Sequence, residues 1–328
     1  MLQRYQFIAA VIALVLAIAP HSSHSFPRLG LLKSYAHETT IEREYPLANA
    51  GTLTIRNVDG NIRIETEWRG SVALRAIKRA AREDQLPRMS IEKYAHEKDG
   101  HTYVTISTTY ENNEVDGCVD YVLAVPTHIN LRLRTGYGTI TIQDVQGCIA
   151  AQTRDGNIDI ERVTGPVIAQ TKSKGNITLD SIGGGIKAVT KTGNINIENA
   201  TRSIVATSDE GNIAVTFKKL LESSRVVLHS RGGTVSTRLP SQINAHVIGQ
   251  SEGVTLQSDH YLALRPNTKL EKEVSSYCNE LARRVCHCME QQQDDEEIRA
   301  GKGKSVAKKV RNRLAQAFKY VYPFGKSS

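Results

Sequence analysis

TRDGNIDIERVTGPVIAQTKSKGNITLDSIGGGIKAVTKTGNINIENATRSIVATSDEGNIAV, residues 153–215, repeats one phrase four times: Asp-Gly-Asn-Ile at 155–158, Lys-Gly-Asn-Ile at 174–177, Thr-Gly-Asn-Ile at 192–195 and Glu-Gly-Asn-Ile at 210–213. With the flanking copies, the glycines fall at Gly138, Gly156, Gly175, Gly193 and Gly211, with weaker echoes at Gly233 and Gly253. The spacing is close to regular, with a longer step before Gly233. A fixed period of this kind predicts a solenoid with one coil per repeat.

Each repeat carries two short alternating runs. One is Ile158–Ile160, Ile177–Leu179, Ile195–Ile197 and Ile213–Val215, with Asp159, Thr178, Asn196 and Ala214 between. The other is Ile149–Ala151, Val167–Ala169, Ile186–Ala188 and Ile204–Ala206, ending in Thr153, Thr171, Thr190 and Ser208. Apolar residues at i and i+2 are strand periodicity. One wall of the interior is then Ile or Leu and the other Ala, so the core is thin. So short a coil must turn sharply, which calls for glycine at φ > 0. Asn157, Asn176, Asn194 and Asn212 also tolerate the left-handed region, and their amides are expected to bond to the amides of the next coil as a ladder. A phosphate cradle needs a helix after its glycine, whereas here a strand follows each time.

The expected fold is mainly β: a parallel β-solenoid of about 18–20 residues per coil, a β-rich N-terminal cap and a short α-helical C-terminal region. A further copy, VDGNIRIE at 58–65, stands displaced from the array. Residues 100–110 and 118–138 read as strands, expected to be antiparallel, while ALRAIKRAAREDQLPR at 73–88 reads equally as strand or helix. Residues 38–135 are assigned to the cap with the first Gly-Asn-Ile copy, and 136–265 to the solenoid. Thr268 and Glu271 form a capping box that opens a capping helix at 266–290. A polar linker at 291–304 follows, then a basic amphipathic tail at 305–328. Val306, Val310, Leu314, Ala317 and Val321 share one face of that tail, with Lys308, Lys309, Arg311, Arg313 and Lys319 among the polar positions. Such a segment is expected to touch a membrane or other anionic surface, or else to pack on the fold.

At the other end, Arg4 precedes an uninterrupted apolar run, Phe7–Ala19, closed by Pro20. That is too short to span a bilayer, which takes ~20 residues, and it reads as a signal peptide at 1–25. Export to the periplasm, outer membrane or cell surface is the expectation. The net charge of +8 is concentrated after Glu297, where every charged side chain is Lys or Arg. The rest of the chain is nearly neutral overall, and with export expected, nucleic acid is not an expected partner.

Five cysteines leave one unmatched; Cys118 and Cys148 have similar contexts and are candidates to pair. Cys278, Cys286, Cys288 and His287 invite a zinc reading, but on a helix positions 286 and 288 diverge. No cofactor or metal is expected. Aromatics between Gly138 and Arg265 are limited to Phe217 and Tyr261, and the acids follow the repeat. Sugar-cleaving sites use aromatic platforms and a carboxylate pair, so a polysaccharide-acting β-helix enzyme is the weaker alternative. His128, His229, His246 and His260 are scattered, and no nucleophile–base spacing stands out. The sequons at Asn176 and Asn199 are better explained by turns.

Three stretches resemble the bacterial domain-of-unknown-function family 4097, commonly labelled an adhesin by analogy. They are LTIRNVDGNIRIE at 53–65, YVLAVPTHINLRLRTGYGTITI at 121–142 and GGTVSTRLPSQINAHVIGQSEGVTL at 232–256, and the likeness covers roughly residues 40–257. The resemblance implies a β-solenoid on exported or envelope proteins and brings no catalytic residues. The function expected from it is a non-catalytic envelope protein that presents a binding or structural surface to a protein, a glycan or the envelope itself. The alternatives are the glycan enzyme and a structural protein tethered by its basic tail.

Overall fold

The computed structural model describes residues 35–240, apart from 48–50, 68–69, 99 and 222–223. The expected signal peptide, the echo at Gly253, the capping helix, the linker and the basic tail lie outside the described residues. The strands are β1 (His37–Pro46), β2 (Gly51–Arg56), β3 (Ile62–Glu67), β4 (Ser71–Ala80), β5 (Met89–Lys98), β6 (His101–Tyr110), β7 (Gly117–Pro126), β8 (Ile129–Tyr137), β9 (Ile140–Gln143) and β10 (Ile149–Asp155). They continue as β11 (Ile158–Val163), β12 (Val167–Lys174), β13 (Ile177–Ile182), β14 (Ile186–Thr192), β15 (Ile195–Ala200), β16 (Ile204–Glu210), β17 (Ile213–Phe217), β18 (Val226–Ser230) and β19 (Val235–Arg238). Among the described residues the one helical element is a 3₁₀ turn, Glu83–Gln85.

Two sheets result. The first runs β1-β4-β7-β3-β9-β11-β13-β15-β17-β19, and the second β18-β16-β14-β12-β10-β8-β2-β6-β5. From β8–β9 to β18–β19 the chain makes six coils, each giving one strand to either sheet. Neighbouring coils pair in parallel and in register: Ile158 opposes Ile177, Ile177 opposes Ile195, and Ile195 opposes Ile213. The alternation is the one the runs predict: Ile158, Ile160, Ile177, Leu179, Ile195 and Ile197 are buried on one wall, Ala151, Ala169, Ala188 and Ala206 on the other. Burying an Ile side chain contributes roughly 1.5–3 kcal/mol.

The corners differ in detail from expectation. The glycines have φ of 140–155° at Gly138, Gly156, Gly175, Gly193 and Gly211, a region reached by glycine but not the left-handed helical one. A second constraint acts on the same atoms. A Cβ on Gly193 would lie 2.2 Å from the Gly175 carbonyl oxygen, and one on Gly175 would lie 1.9 Å from that of Gly156. The coils are therefore stacked backbone on backbone at this corner, with no room for any side chain. Left-handed φ occurs instead at the opposite corner, at Asp144, Arg162, Ser181 and Asn199, with φ of 53–61°.

The asparagines do form the expected ladder, from side-chain amide to main-chain amide. Each side-chain oxygen accepts the main-chain N–H of the next coil: Asn176 N–H to Asn157 Oδ1, Asn194 to Asn176 and Asn212 to Asn194, each at 2.9 Å, then Thr234 to Asn212 at 2.8 Å. The buried Thr and Ser that close the Ala runs, and the half-buried Ser230 at the same position of β18, also have a task. The hydroxyls of Thr153, Thr190, Ser208 and Ser230 donate to the carbonyls of Gly138, Gly175, Gly193 and Gly211, one coil back, at 2.7–3.1 Å. Buried carbonyls need such partners. Thr171 breaks the pattern, because β12 bulges between Thr171 and Lys174. That bulge takes up the extra residue of the step from Gly156 to Gly175, which is one longer than the steps beside it.

The first Gly-Asn-Ile copy, expected apart from the array, is one of its rungs. Ile62 pairs with Ile140, Thr139 N–H donates to Asn61 Oδ1 at 2.9 Å, and β2 pairs with β8 in parallel. The chain leaves after β3, adds β4 and β5, returns as β6–β7 on the outer side of β2–β3, then crosses to begin β8. The strands at 101–110 and 117–137, expected antiparallel, pair in parallel with the stack, and antiparallel pairing is confined to their contacts with β5 and β4. A 78-residue separation hid this adjacency from periodicity alone. The ambiguous stretch from 73 is strand β4 followed by the 3₁₀ turn.

Toward this end the Ala column becomes Leu133, Ile55 and Ile106. The interior there takes a buried Tyr121, whose hydroxyl meets Thr108 Oγ1 at 2.6 Å. Burial pushes the Tyr121 phenol up to about 12. The sheets end on β1 and β5, which carry Glu38, Glu42, Arg43, Glu44, Glu92 and Glu97. Charged edges of this kind resist edge-to-edge pairing.

The stacked corner makes a sharp prediction. Gly193→Val should destabilise by more than ~4 kcal/mol, because the side chain meets backbone and the φ is strained. Asn194→Ser, which loses one ladder bond, should cost ~1 kcal/mol. Urea melts of both variants check this; equal midpoints would contradict the packed corner.

Candidate functional site

The cations proposed from sequence as a surface contact, Lys308, Lys309, Arg311, Arg313 and Lys319, lie outside the described residues. Within them, the in-register stack sorts charge onto its two outer faces. In such a stack, residues at equal repeat positions become columns, with rungs ~4.8 Å apart.

On the first sheet the outward column after the Ile runs is Gln143, Glu161, Asp180 and Glu198, paired rung to rung. Each carboxylate is held locally. Glu161 accepts from Arg162 at 2.8 Å and Gln143 at 3.4 Å. Asp180 accepts from Asn199 at 2.7 Å and Ser181 at 3.1 Å, and Glu198 from Asn196 at 2.9 Å. Three of these donors belong to the left-handed corner. Arg162 also makes a two-pronged contact with Asp144 at 2.6 and 2.9 Å, and this holds the Asp144 carboxyl below its ordinary value. Burial pushes the neighbouring Asp159 carboxyl up, against a hydrogen bond from Thr178.

The second sheet is the opposite. Directly after the inward Thr153, Thr171 and Thr190 come Arg154, Lys172 and Lys191, all outward and exposed on successive rungs. One row inward, Arg56 pairs with Arg134, which is followed by Gln152 and Gln170, joined by an amide bond of 2.9 Å. The result is a cationic stripe across β2, β8, β10, β12 and β14, about 20 Å long at the usual strand spacing. Its charges feel one another: burial first, then Arg134 and Arg154, push the Lys172 ammonium below its ordinary value. Asp155 lies 4.0 Å from Arg154, a weak exposed contact. Tyr137, 51% exposed, flanks the stripe with the Arg154 guanidinium 5.7 Å from its ring centre. The column ends at Asp209, which pairs with Arg231 at 3.3 Å.

Sequence reasoning missed this stripe although its signal is plain: a cation follows the inward Thr in three successive copies. The summed charge concealed it, since the acidic column on the other face cancels it.

Other candidates are weaker. A depression of about 320 Å³ is lined by Thr66, Thr127, Asp144, Gln146, Arg162 and Thr164, but its acid and its base are bonded to each other. Cys118, in β7, and Cys148, just before β10, are candidates for a disulfide by sequence but are not joined in one, and burial pushes the Cys118 thiol up to about 11. His96 stacks on Tyr103, with centres 4.9 Å apart, and His101 bonds Thr52 at 2.9 Å, forming a small aromatic cluster at the β5–β6 edge. Among the described residues, no helix is long and apolar enough to cross a membrane.

The model of the family described as Toastrack DUF4097 matches residues 18–264. The chain belongs to the Toastrack DUF4097 family. Three solved structures resemble this Toastrack chain, described as a "putative adhesin" or "putative cell adhesion protein". That from Bacteroides fragilis shares 17% identity over 61% of this chain and 97% of its own, with a TM-score of 0.34. That from Clostridium sporogenes shares 10% over 61% and 99%, at 0.27, and that from Parabacteroides merdae 11% over 60% and 95%, at 0.24. No curated protein matches the Toastrack chain.

Like charges on adjacent rungs cost stability. Lys172→Gln should therefore raise the unfolding free energy in low salt, by ~0.3–0.5 kcal/mol. The gain should shrink as salt screens the stripe. Because the folded pKa is depressed, the cost is full below that pKa and fades as pH rises toward the ordinary lysine value. Urea melts at two salt concentrations check this; a salt-independent loss of stability would contradict it.

Proposed function

We propose that this Toastrack chain is an exported, non-catalytic protein of the cell envelope, an adhesin-like solenoid that offers one outer face to a partner. The observation that carries the reading is the separation of charge: a flat cationic face and a flat acidic face on opposite sides of one stack. A broad charged face suits adhesion to an extended partner, whereas catalysis calls for convergent groups in a cleft. In the depression at Asp144 and Arg162 the acid and base satisfy each other, which supports the non-catalytic reading. Export is supported by Arg4, the apolar run Phe7–Ala19, Pro20 and the small residues Ser23 and Ser25. The basic segment with Lys308, Lys309, Arg311, Arg313 and Lys319 is proposed as a contact to an anionic membrane surface.

Cell fractionation followed by protease shaving tests the placement. The mature chain is expected in the envelope or periplasmic fraction, with an N-terminus near Phe26, and to be digested once the outer barrier is opened. Recovery of the full-length chain from the cytosol, protected from protease, would contradict export.

A further inference from the structure

We propose that the cationic stripe on the second sheet is a docking track for a linear anionic polysaccharide lying along the stack axis, across the strands. This deepens the adhesin-like reading and rests on it for the setting, but not for the chemistry.

The argument begins with what the column does further along. At Asp209 and Arg231 the same repeat position alternates in sign, and the pair closes at 3.3 Å. The fold thus accepts a charge-balanced column. Over the preceding three rungs it carries Arg154, Lys172 and Lys191 instead, with Arg134 and Arg56 beside them. Burial and the two neighbouring guanidinium groups already disfavour the charge on Lys172. An arrangement that opposes its own folding is relieved when an external anion lies over it.

The geometry selects the anion's form. The cations follow one another on successive rungs, ~4.8 Å apart where the strands pair, with the β12 bulge at Lys172. A compact anion would meet two or three of them, while an extended chain with a charge every one or two rungs, at ~5–10 Å, meets all of them. The rest of the face suits a sugar. Gln152 and Gln170, bonded to each other at 2.9 Å, present amides where hydroxyls would lie. Tyr137 offers an exposed ring at the side of the stripe, the kind of apolar platform on which the C–H face of a pyranose rests. Single-stranded nucleic acid would call for rings at successive steps, and the column that starts at Tyr137 continues instead with Asp155 and, further along, Thr192 and Glu210. The shared recognition chemistry is carboxylate or sulfate esters on a polysaccharide.

Purified full-length chain tests this by titration with polygalacturonate, heparin, neutral dextran and oligo(dT), independently of where the cell places the protein. The variant is Arg154→Gln/Lys172→Gln/Lys191→Gln. The control, Arg202→Gln/Lys218→Gln/Lys219→Gln, removes equal charge from exposed positions off the stripe. Polygalacturonate or heparin should bind the parent chain, dextran should not, and the stripe variant should lose at least tenfold in affinity with a flatter salt dependence, against less than twofold for the control. Polygalacturonate binding shows that carboxylates suffice, binding of heparin alone shows that sulfate or its denser charge is needed, and either supports the track. Equal losses in both variants would reduce binding to net charge and overturn the proposal. Full binding by the stripe variant would assign it to the basic segment after Glu297, and overturn it too. Tighter binding of oligo(dT) than of either polysaccharide would replace the partner with nucleic acid. Binding that appears only after Asp294, Asp295, Glu296 and Glu297 are neutralised would assign the stripe to the chain's own acidic segment.

Discussion

The structure depends on one close approach. The carbonyl oxygen of each corner glycine occupies the place where a Cβ of the next glycine would stand, with a separation of 1.9 Å at Gly175 and 2.2 Å at Gly193. Only a chain with glycine at that point on every turn brings its coils within main-chain hydrogen-bonding distance there. The rest follows in sequence. Parallel strands come into register, Asn oxygens meet the N–H of the next coil, and the Thr or Ser hydroxyl closes the carbonyl that the sheet leaves open. Glycine fixes the stacking distance, while Asn and Thr satisfy the polar groups that the stacking buries.

Register has a second consequence. Repeat position and surface column become the same thing, so any bias in one position is written along the whole face. On the first sheet the bias is acidic and is answered by Arg162, Ser181, Asn196 and Asn199. On the second it is basic, and the neighbours of Lys172 are themselves cations. A stack of this kind needs no pocket to be specific. It can match a partner by the spacing and sign of its columns, which is why the flat face, rather than a cleft, carries the functional reading.

Much of the fold is legible in the sequence because the period is short and the inward residues alternate. The Ile and Ala walls, the direction of Asp159 and Asn196, and the glycine corners can all be read from residues 153–215. Two features cannot. The rung formed by Gly60 and Asn61 joins the array through a connection 78 residues long, and linear periodicity carries no information about such stacking. The stripe of Arg154, Lys172 and Lys191 is visible as three cations after three threonines, but a charge summed over the whole chain cancels them against Glu161, Asp180 and Glu198. The Asn ladder exists as expected, although asparagine's φ is not positive at these corners: its side-chain oxygen reaches the main-chain amide of the next coil.

If each coil is a self-contained unit joined through its glycine corner, one can be removed whole. Deleting Asn157–Gly175, one full coil from just after one corner glycine through the next, joins Gly156 directly to Asn176. A nearest-neighbour stack predicts that this chain still folds and unfolds in one cooperative urea transition, with an m-value lower by about a tenth. Loss of the cooperative transition, with the remaining coils unable to close over the gap, would contradict it.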